Sequence, residues 1–406
     1  MHPTHGDSST AAARPPLTAL VAEALVLFVV LRIGLSLLGA IIATTGVWSP
    51  CHFEEALNGW RTMPELLRDG LAFPWAGIWE RWDACWYMKV ATYGYEPGER
   101  SVAFFPLFPA AVRAVGTLTT LPYPVAGMMV SGLGFVAGIA GLLRLVTDSH
   151  GLRAGRATIR LLAVFPTAFF LFAPFTEALF LAAVAWCLLF AGQRRWTLAL
   201  LCAAAATLTR AQGVLLAVPL AWEAFRAARE LRADGLLGTP RAWLKVGLGA
   251  VTAAVPLASF AGWGWAARAL TGETPYDAQS LWGGTDFHPP WAVVAASASW
   301  IVERGDLMQA LNLAALLGAT ALLVIGARRM PVTYSLYAWP PLILIATRIQ
   351  PTPLTSTTRY VLVLFPIFVV AALLTERPWL RWAWVVASVL LLGQLATMFL
   401  RGDFVA

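Results

Sequence analysis

Charged residues are scarce in this 406-residue chain: they make up 13% of the sequence, whereas hydrophobic residues make up 59%. An ordinary soluble domain, with about a quarter of its residues charged, is therefore excluded. The four cysteines and five histidines do not have the spacing of a zinc site. The glycine-rich loops that bind nucleoside triphosphates or dinucleotides are also missing. We predict no resident cofactor and no metal ligands, and leave open a requirement for a divalent cation.

Long apolar runs are abundant instead. Segments approaching about twenty apolar residues, the length that crosses a bilayer, recur along the sequence. Within lipid these segments must be helices, because no water is present to bond the backbone polar groups. The sequence therefore predicts an all-α, polytopic transmembrane helical bundle with roughly a dozen apolar segments. The polar residues 1–16 are expected to form a disordered cytoplasmic tail, and residues 17–406 a single domain.

Charge differs between two long polar loops. Residues 46–100 carry eight acids and five bases, whereas residues 226–245 carry five bases and two acids. Because basic loops tend to stay in the cytoplasm, residues 46–100 are predicted to be a large first extracytoplasmic loop, and residues 271–290 a second one. The net charge of +7 follows this membrane pattern and does not indicate nucleic-acid binding. We predict a multi-pass protein of the cell membrane.

The first predicted span, residues 17–45, contains two charged side chains. Arg32 lies in mid-span, where a charge is costly unless it faces the bundle interior or a watery cavity. Glu23 lies nine residues earlier, and a helix turns about 100° per residue, so it faces the opposite side. The two side chains are therefore not expected to pair with each other.

One acid in the first loop lies among aromatic residues, in the stretch RWDACWYMKVATYGY (81–95). If this stretch is helical, Trp79, Asp83, Trp86 and Tyr87 share one face. Aromatic rings stack on sugars and anchor at the lipid surface, and a carboxylate can accept a proton from an attacking hydroxyl. The alternative is an amphipathic interfacial helix with a solvated acid. The residues by themselves favour this second interpretation.

The cysteines fall into two groups. Cys51 and Cys85 share the first extracytoplasmic loop, where they would either form a disulfide or remain two free thiols. Cys187 and Cys202 lie inside apolar runs and are expected to be small packing residues.

Residues 81–113, RWDACWYMKVATYGYEPGERSVAFFPLFPAAVR, resemble the PIG-V family of polytopic GT-C glycosyltransferases. The family pattern is RWDA, a tyrosine, IA..GY, then AFFP, a hydrophobic residue and FP; here Val90 replaces the isoleucine. Three later blocks are similar to family blocks in the same order, and Phe175 stands where the family has tyrosine. These blocks are FPTAFFLFAPFTEALFLAAV (165–184), TLTRAQGVLL (207–216) and TTRYVLVLFPIFV (357–369).

The resemblance implies a transferase that moves mannose from polyprenyl-phosphate-mannose to an acceptor on the extracytoplasmic face, with inversion at the anomeric carbon. Its eukaryotic members add the second mannose of glycosylphosphatidylinositol anchors. Asp83 occupies the position of the family's candidate base in the first external loop. The implied partners are the lipid-linked donor, a glycolipid or glycoprotein acceptor and membrane lipids.

Stabilising a leaving lipid phosphate requires Arg or Lys near the external membrane surface. Arg359 fits best, because it follows a polar loop and precedes an apolar run. Arg210 interrupts an apolar run, which is costly unless it is paired or bound to an anion. Arg81, next to Asp83, is expected to tune the base or bind the acceptor. For each arginine the alternative is a side chain that snorkels to the interface.

The remaining polar candidates are contacts for the substrates. Glu177, in the proline-broken junction APFTEALF, is either a contact for sugar hydroxyls or the partner of an arginine such as Arg210, and we favour the first. The other predicted substrate contacts are Trp82, Trp86, Tyr87, Tyr95 and Tyr360. In the second external loop we favour an ordinary loop over an acceptor groove for Asp277, Trp282, Asp286 and His288.

Two other functions stay open. A transferase of the same type could use a different polyprenyl-linked sugar, such as arabinose or glucose. A non-enzymatic transporter of lipid-linked sugars would have paired broken helices in two related halves and a site at mid-membrane. The sequence has no such symmetry, and its polar and aromatic residues concentrate in one loop, which favours the enzyme.

Overall fold

The computed structural model describes residues 14–46, 73–280, 287–349 and 351–405. These residues form helices and connections, and the strand-like pairing among them is confined to two isolated bridges. The predicted all-α architecture is therefore confirmed for the described part of the chain. The first eight α-helices are α1 (Leu17–Thr44), α2 (Asp83–Tyr93), α3 (Leu107–Thr119), α4 (Tyr123–Ala163), α5 (Glu177–Gly192), α6 (Trp196–Thr209), α7 (Ala217–Ala233) and α8 (Pro240–Thr271). The others are α9 (Pro275–Gln279), α10 (Pro290–Arg304), α11 (Leu307–Gly326), α12 (Val332–Ala346), α13 (Thr357–Leu362), α14 (Phe365–Leu374) and α15 (Pro378–Arg401).

Five of these helices are long and apolar enough to cross a membrane: α1, α4, α8, α11 and α15. This finding agrees with the predicted multi-pass, membrane-embedded character of the chain. Other predicted apolar segments are shorter helices, such as α3, α5 and α14. At 13 residues, α3 is only about 20 Å long, less than the hydrocarbon thickness of about 30 Å.

Two exposed tryptophans lie near the two ends of α8. Trp243 and Trp265 are both exposed, and tryptophan is enriched where lipid meets water. They are 22 residues apart, which corresponds to about 33 Å along a helix. This separation matches the thickness of the bilayer core, about 30 Å. The helix therefore has the dimensions and the end residues of a complete membrane span.

The two charged residues of α1 have different partners, as their spacing indicates. Arg32 donates to the backbone carbonyls of Phe172 and Trp75, at 3.1 Å each, so it faces the bundle interior. Glu23 instead accepts from Arg156 of α4, whose Nε lies 2.9 Å from Glu23 Oε2. The prediction that these two charges do not pair is confirmed.

The centre of the bundle is formed by α5 and α14, whose residues are almost all buried. Helix α4 approaches α5 closely at two glycines one turn apart, Gly134 and Gly138. A Cβ atom at Gly134 would lie 2.8 Å from the backbone nitrogen of Leu179, and one at Gly138 would lie 3.1 Å from that of Ala182. Small residues at this spacing allow membrane helices to pack backbone to backbone.

Gly134→Ala should lower the apparent melting temperature of the purified protein, because the added methyl group meets fixed backbone. Overpacking of this kind costs about 1–3 kcal/mol. The matched control is Gly393→Ala in α15, where a Cβ atom would meet nothing within 4 Å. The control should melt at or above the wild-type temperature, since alanine favours helix over glycine. Equal melting of the two variants would contradict the tight packing of α4 on α5.

The two ends of α5 carry different sets of charges. Its first residue is Glu177 and its last is Gly192, which places the ends about 24 Å apart. Just beyond the far end, Arg194 binds Glu223 and Glu230 at 2.7 Å each. Thr333 of α12 also donates to Glu223, so this group ties α7 to α12. The charges around Glu177 therefore form a separate site at the opposite end of the bundle.

Candidate active site

Four charged side chains meet at the first residue of α5, and we name them the charge cluster: Asp83, Glu177, Arg210 and Arg359. Arg359 Nη1 donates to Asp83 Oδ2 at 2.5 Å. Arg359 Nε and Arg210 Nη1 both donate to Glu177 Oε1. Sequence reasoning named all four residues as site candidates, and the fold brings them together from segments up to 276 positions apart.

Helix ends position the cluster. Asp83 is the first residue of α2, and Glu177 is the first residue of α5. The partial positive charge of a helix N-terminus stabilises a carboxylate there. Arg210 follows the last residue of α6, and Arg359 lies in the short α13. Asp83, Glu177 and Arg210 therefore lie at helix ends, and Arg359 lies in the first turn of α13.

Burial divides the cluster into an inner and an outer part. The side chain of Glu177 is fully buried and those of Arg210 and Arg359 are each 8% exposed, whereas that of Asp83 is 36% exposed. A buried charge is tolerated when it is paired and hydrogen-bonded. Two arginines and two carboxylates balance in number, and the carboxylate of Asp83 is the member most open to a substrate.

Aromatic rings hold the two guanidinium groups in place. The Cζ atom of Arg359 lies 4.9 Å from the ring centroid of Phe170 and 4.8 Å from that of Phe175. The Cζ atom of Arg210 lies 5.6 Å from the ring centroid of Tyr360. These are cation–π distances. Phe175, which departs from the tyrosine of the family pattern, thus contacts the arginine that pairs with Asp83.

The sequence left two roles open for Glu177, and the structure places it against arginines. Its Oε1 atom accepts from Arg210 and Arg359. Its Oε2 atom is buried without a hydrogen-bond partner among the described residues. A buried carboxylate oxygen of this kind is an acceptor for one further donor, such as a water molecule or a hydroxyl group. The contact with sugar hydroxyls that we favoured stays a prediction.

Tyr87 lies beside the charge cluster. Its hydroxyl oxygen is 3.5 Å from Thr176 Oγ1, which also accepts from Arg210 Nη1 at 2.9 Å. Burial, together with the nearby Asp83 carboxylate, raises the pKa of Tyr87, so the phenol is neutral near pH 7. Trp86 stacks on Phe104 with ring centroids 5.4 Å apart. These two aromatic residues lie one helical turn after Asp83 in α2.

The prediction that Trp79 shares a helix face with Asp83 is wrong. Trp79 belongs to a separate 3-10 turn, Gly77–Trp79, and is buried against Phe399. Trp82 then has φ of +52°, a conformation that is uncommon for a residue with a side chain. This break lets α2 begin at Asp83. The Trp82 Nε1 atom donates to the carbonyl of Asp403 at 3.1 Å, so this ring ties α2 to the end of the chain.

Two further predicted contacts, Arg81 and Tyr95, donate to backbone carbonyl groups. Arg81 is buried, and its Nη1 atom donates to the carbonyl of Glu80 at 2.9 Å. Burial lowers the pKa of Arg81 to about 10. Tyr95 donates to the carbonyl of Phe104 at 2.7 Å and packs on Trp263, with ring centroids 4.9 Å apart. Tyr95 thus belongs to a second, smaller apolar group.

Sequence reasoning missed residues that hold the cluster together. Thr176, which precedes Glu177, accepts from Arg210, and Gln212 Oε1 accepts from Arg210 Nε at 2.9 Å. Asn312 of α11 accepts from the backbone and the hydroxyl of Thr358, next to Arg359. Thr176 and Gln212 could have been predicted, because each lies within two positions of a charged residue named as a site candidate. The sequence contains no signal for Asn312, because its partner is 46 positions away.

The cysteines differ in their bonding. Cys85 is disulfide-bonded, whereas Cys187 and Cys202 are free thiols.

The second predicted external loop is described in part. Asp277 accepts from the backbone and the hydroxyl of Thr274, so it caps α9 as part of an ordinary loop. The backbone of His288 donates to Thr347. The residues 1–13, Cys51, Trp282 and Asp286 lie outside the described part of the chain.

The described residues contain no group of three or more His, Cys, Asp or Glu side chains placed to hold a metal ion. In comparisons with known proteins, no family model, curated protein or solved structure matches the chain. The assignment of a function therefore depends on the sequence motifs and on the geometry of the charge cluster.

Proposed function

We propose that the chain is an integral-membrane mannosyltransferase of the PIG-V and GT-C type, which uses polyprenyl-phosphate-mannose. One observation carries this proposal. The four sequence blocks that resemble the family each contribute one member of the charge cluster: Asp83, Glu177, Arg210 and Arg359. Blocks up to 276 positions apart thus supply charged groups to one point, as expected if they serve one chemical step.

In the proposed reaction, the acceptor hydroxyl attacks the anomeric carbon of the mannose. The oxygen–carbon bond forms while the bond from the anomeric carbon to the phosphate oxygen breaks, and its electron pair leaves with the polyprenyl phosphate. Asp83 takes the proton of the hydroxyl as the general base. Attack from the side opposite the phosphate inverts the anomeric centre.

The arginines suit the phosphate of the donor. A guanidinium group binds phosphate through parallel hydrogen bonds and remains charged in a partly buried site. Arg359 lies directly beside the proposed base, and Arg210 lies behind it, across Glu177. The chain also has five candidate membrane spans, whose apolar character is compatible with a lipid-linked donor. We place the site on the extracytoplasmic face of the cell membrane, with a glycolipid or glycoprotein as acceptor.

Purified wild-type protein in detergent should transfer labelled mannose from polyprenyl-phosphate-mannose to a pool of membrane glycolipids. The matched donor control is nucleotide-linked mannose, which lacks the lipid and should yield no product. Unlabelled polyprenyl-phosphate-glucose and polyprenyl-phosphate-arabinose should compete poorly. Efficient transfer of one of these sugars instead would keep the enzyme class and change the donor. Movement of a labelled lipid-linked sugar across proteoliposome membranes without transfer would support the transporter.

A further inference from the structure

The proposed base is already engaged in an ion pair. Asp83 Oδ2 accepts from Arg359 Nη1 at 2.5 Å. The guanidinium group thus occupies, through a charge-assisted hydrogen bond, a carboxylate oxygen that would otherwise accept from an incoming hydroxyl group. Movement of Arg359 Nη1 to another anion would therefore free Asp83 Oδ2 to accept from the acceptor hydroxyl.

Arg359 is fixed by contacts that do not involve Asp83. Its Nε atom donates to the fully buried Glu177, and its guanidinium group contacts the rings of Phe170 and Phe175. Loss of the Asp83 contact would leave these interactions in place. The guanidinium group would then present Nη1 to whichever anion is nearest.

Asp83 is the more exposed partner of this ion pair. Its side chain is 36% exposed, against 8% for Arg359. The exposed side of this ion pair is therefore the carboxylate, and an incoming anion approaches Arg359 from that side. A partly exposed ion pair contributes little to stability, so breaking it when an anion binds costs little free energy.

We infer that Asp83 occupies, in the resting protein, the position on Arg359 that the donor phosphate takes on binding. This inference depends on the proposed function. When the phosphate binds, the ion pair of Arg359 with Asp83 breaks and one with the phosphate forms, while the pair with Glu177 remains. Asp83 is thereby released as a base only when a donor is present. The lipid-linked donor consequently binds before the acceptor is activated.

The experiment measures binding of polyprenyl phosphate, without sugar, to the purified full-length protein. Asp83→Asn and Asp83→Ala should bind it about three- to tenfold more tightly than the wild type, the range for removing a competing ion pair with its repulsion of the phosphate. Asp83→Glu retains the competing charge and should bind no more tightly than the wild type. Affinity for polyprenol, which lacks the phosphate, should be the same in all variants.

A second arm tests the place of exchange. Adding Arg359→Lys to Asp83→Asn should abolish the gain in affinity, because a lysine cannot bind Glu177 and a phosphate in the same forked geometry. Asp234→Asn, an exposed acid in the connection after α7, is the control for a general change in charge. Unchanged or weaker binding by Asp83→Asn and Asp83→Ala would overturn the exchange. A gain that persists without the guanidinium group would also overturn it, since long-range repulsion alone would then account for the effect.

The outcome is separable from that of the proposed function. Tighter phosphate binding by Asp83→Asn without any mannose transfer by the wild type would retain the exchange at Arg359 and reject the transferase. Transfer by the wild type with no gain in phosphate affinity would do the reverse.

Discussion

Asp83→Asn is expected to lower the rate of mannose transfer by at least about a hundredfold, the lower end of the contribution of a general base. The amide has nearly the same shape as the carboxylate but cannot accept the proton of the attacking hydroxyl. Stability should change little, because the ion pair with Arg359 is partly exposed and such pairs contribute about 0–1 kcal/mol. The measurement is initial transfer rate at saturating donor, with folding checked by gel filtration.

Asp234→Asn is the matched control for this variant. Its side chain is exposed in the connection after α7, and transfer should stay within about twofold of the wild type, as is usual for surface substitutions. Equal rates for wild type and Asp83→Asn would remove Asp83 from the mechanism and leave the enzyme class to the donor assay. The binding measurement on the same variant shows whether weaker donor binding accounts for any loss of rate.

Glu177→Ala should have its largest effect on stability. Glu177 is fully buried and accepts from both Arg210 and Arg359. Its removal leaves two guanidinium groups in an apolar surrounding, and breaking one buried ion pair costs about 3–5 kcal/mol. We expect a clear drop in the apparent melting temperature in detergent and a lower yield of monodisperse protein.

The control is Glu303→Ala at the exposed end of α10, which removes the same charge from the surface. The free energy of unfolding of this variant should be within a few tenths of a kcal/mol of the wild-type value, as is usual for surface substitutions, so its melting temperature should hardly change. If Glu177→Ala melted like this control, the pairing of Glu177 with the two arginines would not hold the site together. Transfer by Glu177→Ala should be measured only on protein that remains folded. A loss of transfer would then report on the position of Arg359, which contacts both Glu177 and Asp83.

The two variants separate chemistry from architecture. Asp83 is the outer, half-exposed member of the charge cluster, so its loss should change the rate and leave the fold. Glu177 is the inner member, so its loss should change the fold first. Equal effects of the two variants on rate and on stability would contradict this division into an inner and an outer acid, which is based on the exposed fractions of their side chains.

The amino-acid sequence by itself determined the helical class and the membrane. With 59% hydrophobic residues in runs of bilayer length, only helices can satisfy the backbone in lipid. It also determined which charges matter. Arg32, Glu177 and Arg210 stand in or beside apolar runs, where an unpaired charge is costly, so each was expected to have a partner or to reach water.

Only the tertiary structure decided which residues pair with these charges. Glu177 accepts from an arginine 33 positions away and from another 182 positions away, and no local spacing encodes such contacts. It also decided that Trp79 leaves the face of Asp83, since a single residue with positive φ, Trp82, ends the helical periodicity on which the prediction depended. Periodicity and burial cost are properties of short segments, whereas pairing is set by how distant helix ends meet in space.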